Sequence, residues 1–184
     1  MSENRINHKG NHAARLAAVQ ALYQIELADR GADSVVKEFL DYRLHVNPDQ
    51  GNELIVNREL FAEIVRETSD RLEDVDKLIV ESLPSNWSIG RLDAVLRATM
   101  RAGCGEFLMD KGLAAAVIID EYINVAREFF SAREPGFVNG VLDHVAHVLG
   151  LKMKDEPEAK IRDFRKDYDT SELPNWEDEG GGNF

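Results

Sequence analysis

Apolar residues along this chain recur every three or four positions, the spacing of helices that bury one face. From about Asn11 to Ala28, Ala18, Leu22 and Ile25 share one side, with Leu16 and Val19 beside them. Gly31 interrupts that run, and a second helix from about Ser34 carries Val35, Val36, Phe39 and Leu40. The stretch "HVNPDQGN" (45–52) reads as a loop from its Asn-Pro and Gly content. Phe61, Ile64, Val65, Thr68, Leu72, Val75 and Ile79 then keep the helical period up to Pro84, as one helix or two. "LPSNWSIG" (83–90) reads as a connection in which Ser88 caps the next helix. That helix carries Leu92, Val95, Leu96, Thr99 and Phe107, and Gly112 separates it from another with Ile118, Tyr122, Val125 and Phe129. "SAREPG" (131–136) is the last break, and Pro135 suits the first turn of a final helix. No segment alternates with period two between turns, so no sheet is expected. The pattern predicts an all-α fold, a compact bundle of about six to seven helices over residues 11–150.

At 184 residues the chain has room for one well-filled core. Residues 1–10 are expected to form a flexible basic lead-in. After Gly150 the composition turns charge-dense and poor in aliphatics, and the chain ends in a Gly run. Such a segment buries too little apolar surface to offset its ordering, so 151–184 is expected to be an acidic, mostly disordered tail. No apolar run approaches the roughly 20 residues that span a bilayer. Cys104 is the single cysteine, which leaves no intrachain disulfide and makes a cytoplasmic setting the simplest reading. The formal net charge is −12, yet residues 1–15 set Arg5, Lys9 and Arg15 against Glu3 alone. A small basic end is thus attached to an acidic body; such a body suits a basic protein partner, or its acidity only keeps the protein soluble, which is the simpler reading of the charge by itself.

Enzyme chemistry finds no positive support. No Gly-rich phosphate loop of Walker or dinucleotide type is present. His144 and His147, three apart beside Asp143, lack a third metal ligand at a recognisable spacing. Cys104 in "RAGCGEF" would need a neighbouring histidine to act as a nucleophile and reads more simply as a small buried residue.

The stretch "FVNGVLD" (137–143) raises a sharper question, because Asn-Gly is a turn signal inside a helical pattern. On a wheel of about 100° per residue the apolar arc centres near Val145. Gly140 falls opposite that centre, with His144 and His147, and Phe137 lies at the boundary. Two readings stay open. In one, another helix crosses at Gly140 and Phe137 fills a core gap. In the other, a partly exposed Phe137 and the N–H groups of the helix start bind phosphate and stack an unpaired base.

Three stretches together resemble the bacterial NusB family of transcription antitermination factors. They are "AVQALYQIEL" (18–27), "LDAVLRATMRAGCGEFL" (92–108) and "IIDEYINVAREFFSAREPGFVNGVLDHVA" (118–146). The resemblance implies about seven helices in two packed subdomains and no cofactor. It implies a protein that pairs with the small-subunit ribosomal protein NusE and binds the single-stranded boxA element of nascent ribosomal RNA. That complex joins the elongating RNA polymerase. The matching RNA-facing positions are Lys9, His12, Arg15 and Phe137, with Asn139 and Gly140 of the same "FVNG" motif. The matching partner-facing positions are Tyr23, Arg91 and Arg97. Some members of the family self-associate, which admits a homodimer. The chain departs from the family where a cluster of arginines usually opens the first helix and "HKGNHAAR" stands instead. Gly136 replaces a basic residue before the phenylalanine, and Ala114 and Ala116 replace the usual proline and lysine. Fewer fixed positive charges predict weaker RNA binding alone and more dependence on the basic partner. Two other readings compete: a helical protein–protein adaptor without an RNA role, and a detached domain of a ribosomal RNA cytosine methyltransferase.

Overall fold

The computed structural model describes residues 2–44, 56–131 and 133–151 of the chain, with side chains from residue 8 onward. Among the described residues seven α-helices follow one another: α1 (Ser2–Ala28), α2 (Ala32–Glu38), α3 (Arg58–Asp70), α4 (Leu72–Ser82), α5 (Ala94–Leu108), α6 (Ala115–Phe129) and α7 (Glu134–Val148). A π-helical turn, Phe39–Arg43, continues α2, and a 3-10 turn, Ile89–Arg91, precedes α5. No strand occurs among the described residues. The loop expected at 45–52, apart from its surroundings, and the tail at 152–184 lie outside them.

Two sequence expectations need correction, and one choice left open is decided. The first helix starts at Ser2 rather than Asn11. The long periodic stretch is two helices, parted at Arg71, whose φ of −114° and ψ of 27° leave the helical region. The cap of α5 is Asp93, not Ser88: its carboxylate accepts the Val95 and Leu96 N–H groups at 2.8 and 3.0 Å. Ser88 precedes the 3-10 turn and makes no capping bond.

The centre of the bundle is α5, which packs against α1, α3, α4, α6 and α7. Ten of its fifteen residues are buried, as befits a helix surrounded on every side. The close crossing with α3 depends on Gly105, where an added Cβ would lie 2.0 Å from Thr68 Oγ1 and 3.2 Å from the Thr68 backbone. Helices α1, α2 and α3 pack on one side, and α4, α6 and α7 on the other. The connection to α6 passes through Gly112 at φ +72°, a left-handed position that costs glycine nothing. Helix α1 therefore lies across the bundle with its early turns against α6 and its later turns near the start of α5.

Candidate nucleic-acid interface

His8, His12 and Arg15 fall at i, i+4 and i+7 of α1 and form one stripe that faces α6. Lys9, next to it, is exposed. Arg15 is turned inward and is only 3% exposed. Its Nε and Nη2 donate to Glu106 at 2.9 and 2.5 Å, and its Nη1 donates to Glu121 at 3.3 Å. The Tyr122 hydroxyl donates to the same Glu106 at 2.9 Å. Burial works against the Arg15 charge, but the Glu106 hydrogen bonds and the surrounding carboxylates outweigh it and hold its pKa above the ordinary arginine value. Burial, and then the Glu106 charge, push the Tyr122 phenol well above its ordinary value. The expectation that Arg15 faces RNA is therefore corrected, because two buried carboxylates hold it inside the bundle. The histidines occupy the rim instead. His8 Nε2 lies 3.1 Å from Glu121 Oε1, and His12 Nδ1 lies 3.8 Å from Glu121 Oε2.

At the start of α7, Pro135 sits in the first turn as expected. Glu134 places its own carboxylate there and accepts the Arg133 N–H at 3.0 Å. Phe137 has no exposed surface, and its ring centroid lies 6.0 Å from that of Trp87 at a tilt of 47°. The partly exposed ring anticipated from the helical wheel is corrected: Trp87, from the connection between α4 and α5, packs against it. Gly140 is buried as well, since α4, α5 and α6 all pack on α7 and its shielded surface exceeds one apolar arc. Asn139 is exposed. The open reading in which Phe137 fills a core gap is the one the packing favours.

Tyr23 is 36% exposed and borders a groove of about 520 Å³ lined also by Val19, Leu27, Arg43, Val95 and Phe129. Arg91 is exposed, with its guanidinium 5.8 Å from the centroid of the Trp87 ring. Arg97 is mostly buried against the chain's own acceptors. It donates to Glu26 at 2.9 Å and to the Ile89 and Leu92 carbonyls at 3.0 and 2.8 Å, tying the end of α1 to the 3-10 turn. Arg101 extends this link, donating to Glu26 at 2.8 Å and to Asp76 at 2.7 Å.

The remaining reactive groups are engaged in packing. His144 Nδ1 lies 3.1 Å from Ser82 Oγ, and the His147 ring stands edge-on to it at 6.5 Å. Among the described residues no group of three or more His, Cys, Asp or Glu side chains is arranged to hold a metal. Cys104 is buried, and burial followed by the Asp76 charge pushes its thiol upward, away from the nucleophilic thiolate. Among the described residues no helix is long and apolar enough to cross a membrane.

The sequence reading did not include His8, Glu106, Glu121 or Trp87 among the residues of this site. The i, i+4, i+7 spacing of His8, His12 and Arg15 was readable. Their partners were not, because Glu106 and Glu121 lie 91 and 106 residues further along the chain.

The NusB family model matches residues 12–147. A transcription antitermination protein NusB from Caulobacter vibrioides is 40% identical over 146 residues, spanning 79% of this chain and 97% of that protein. Among solved structures, NusB of T. maritima matches with a TM-score of 0.61 and 29% identity, covering 74% of this chain and 89% of that one. A chain from the crystal structure of antitermination factors NusB and NusE in complex with dsRNA shares the fold. Its TM-score is 0.61 at 24% identity, covering 74% of this chain and 96% of that one.

Proposed function

Because the chain belongs to the NusB family, we propose that it is a transcription antitermination factor. It binds boxA RNA of nascent ribosomal transcripts together with NusE, in the cytoplasm, and joins the elongating polymerase without catalysing a reaction. The observation that carries this reading is the 40% identity with a named antitermination protein across nearly that protein's full length. The solved complex of other family members with NusE and RNA supports the choice of partners.

We assign the roles as follows. Lys9, His12 and Asn139 meet RNA, while Arg15, Phe137 and Gly140 support that face from within. Tyr23 and the groove beside it meet the protein partner, with Arg91 at its margin and Arg97 positioning the end of α1 through Glu26. The acidic body attracts the basic partner, and the partner supplies positive charge that the first helix lacks.

The test is a titration of single-stranded boxA RNA with and without NusE, at two salt concentrations. Weak binding alone and tighter binding with NusE are expected. A partner that neither binds nor improves RNA affinity sinks the proposal.

A further inference from the structure

We propose that the segment Leu173–Glu179 of this chain seats Trp176 in the groove beside Tyr23 and competes there with the protein partner. The seating stands on the groove and the sequence alone, and the competition rests on the partner reading above. The walls of the groove are Val19, Tyr23 and Leu27 of α1, Val95 of α5 and Phe129 of α6, and Arg43 is the one charged group among the described residues that line it. Leu27, Phe129 and Tyr23 leave 60%, 37% and 36% of their surfaces open, so the apolar walls are uncovered. At about 520 Å³ the groove falls within the size range of clefts that hold small ligands. Arg43 is fixed on its rim. The guanidinium stands 4.5 Å from the Phe39 ring centroid, Nη2 donates to Gln24 Oε1 at 3.2 Å, and Glu38 Oε1 lies 3.7 Å away. Arg30 donates to the same Glu38, so two guanidinium groups share one carboxylate and the rim keeps a positive charge. Such a groove favours an apolar side chain with carboxylates beside it and disfavours one flanked by cations.

The chain carries such a side chain beyond α7. Gly150, at φ +66°, and Leu151 close that helix, their N–H groups donating to the His147 and Ala146 carbonyls, both at 2.9 Å. This Schellman arrangement turns the chain back from the helix axis, and Leu151 packs against the core. Trp176 stands 25 residues further on, a span of up to about 80 Å, which is about twice the length of α1. The groove is therefore within reach. Phe164 lies within "KIRDFRK", four cations to one carboxylate, and Tyr168 follows close behind it, so neither suits a rim that is already positive. Trp176 lies in "LPNWEDE", where Glu177, Asp178 and Glu179 follow the indole and no cation is present. A tether of this length holds its end at an effective concentration of about 1 mM. A seat with an intrinsic Kd of about 0.1–0.3 mM is then filled in most molecules, and a competitor for the groove binds about four- to tenfold more weakly.

The experiment uses the full chain. The emission of Trp176 is the difference between the unaltered chain and Trp176→Phe, which keeps Trp87. It is expected at short wavelength, shielded from acrylamide and unchanged by tenfold dilution. Leu27→Glu and Arg43→Glu, both at exposed side chains, should each shift it to the red. Circular dichroism melts check that each variant keeps its fold, and either variant supplies the test if the other does not. NusE should bind Trp176→Ser about four- to tenfold more tightly than the unaltered chain, and the gap should narrow as salt screens the carboxylates from Arg43. Emission typical of an indole in water, or emission that ignores both groove variants, overturns the seating. A signal that changes with dilution assigns the groove to a second copy of the chain and overturns it as well. Equal NusE affinity for the unaltered chain and Trp176→Ser overturns the competition and leaves the partner reading standing. NusE that binds neither overturns the partner reading and the competition with it, while the emission still decides where Trp176 sits.

Discussion

Truncating Phe137 to alanine separates two accounts of the start of α7. In the structure the ring is wholly buried and packs against Trp87. Removing a buried phenylalanine side chain costs about 3–5 kcal/mol, the transfer loss plus the cavity left behind. The tilted pair with Trp87 forfeits a share of that, about 0.5–1.5 kcal/mol in ordinary aromatic contacts. For a chain of this size the loss corresponds to a fall in Tm of about 6–20 °C, at about 2–4 °C per kcal/mol. Urea unfolding followed by circular dichroism gives the stability, and the same samples give RNA affinity below the transition. Phe137→Leu refills much of the volume without an aromatic face, so it should recover most of the stability and most of the RNA affinity. If Phe137→Ala costs less than about 1 kcal/mol while RNA affinity falls by tenfold or more, the ring is a stacking platform and the burial argument fails.

Four further outcomes follow from the interior. Arg15→Met leaves Glu106 and Glu121 buried without their cation and should cost about 3–5 kcal/mol in urea unfolding, far more than a surface pair. Gly105→Ala gains about 1 kcal/mol of helix propensity but drives a methyl into Thr68, so the net effect should be a loss, read as a lower Tm. The buried Cys104 thiol should react with a thiol reagent at pH 8 only as the chain opens, so native labelling as fast as in urea would contradict its placement. Tyr122 adds an alkaline dependence. Its folded pKa lies above the unfolded value of about 10, so ionisation in the unfolded chain drains stability as pH rises past that value. The slope approaches about 1.4 kcal/mol per pH unit, and Tyr122→Phe should remove it from the urea midpoints measured between pH 9 and 11.

How far the sequence could be read depended on whether a feature was local. Gly31, Gly112 and Pro135 mark breaks that the structure keeps, because glycine and proline act on the backbone where they stand. The early turns of α1 carry few apolar side chains, so periodicity gave no reason to start that helix before Asn11. Ser88 and Asp93 are both good caps in isolation, and the choice between them rests on the 3-10 turn that separates them. At the candidate site the same distinction holds. Lys9 and Asn139 are exposed and His12 is half-buried, whereas Arg15 and Phe137 owe their burial to residues far away in the chain. A single-helix wheel contains neither Glu106 nor Trp87, and so it cannot show a guanidinium drawn inward or a ring being covered.

The length of α1 carries a mechanical consequence. A helix of 27 residues extends about 40 Å at 1.5 Å per residue, and His8 and Tyr23 are about 22 Å apart along it. Its early turns are gripped through Arg15 and its late turns through the Glu26 bonds of Arg97 and Arg101, both rooted in α5. The two ends are therefore one stiff rod bolted twice to the same post. Held at both points, the rod keeps the surface of its first turns and the surface around Tyr23 at one fixed distance and angle.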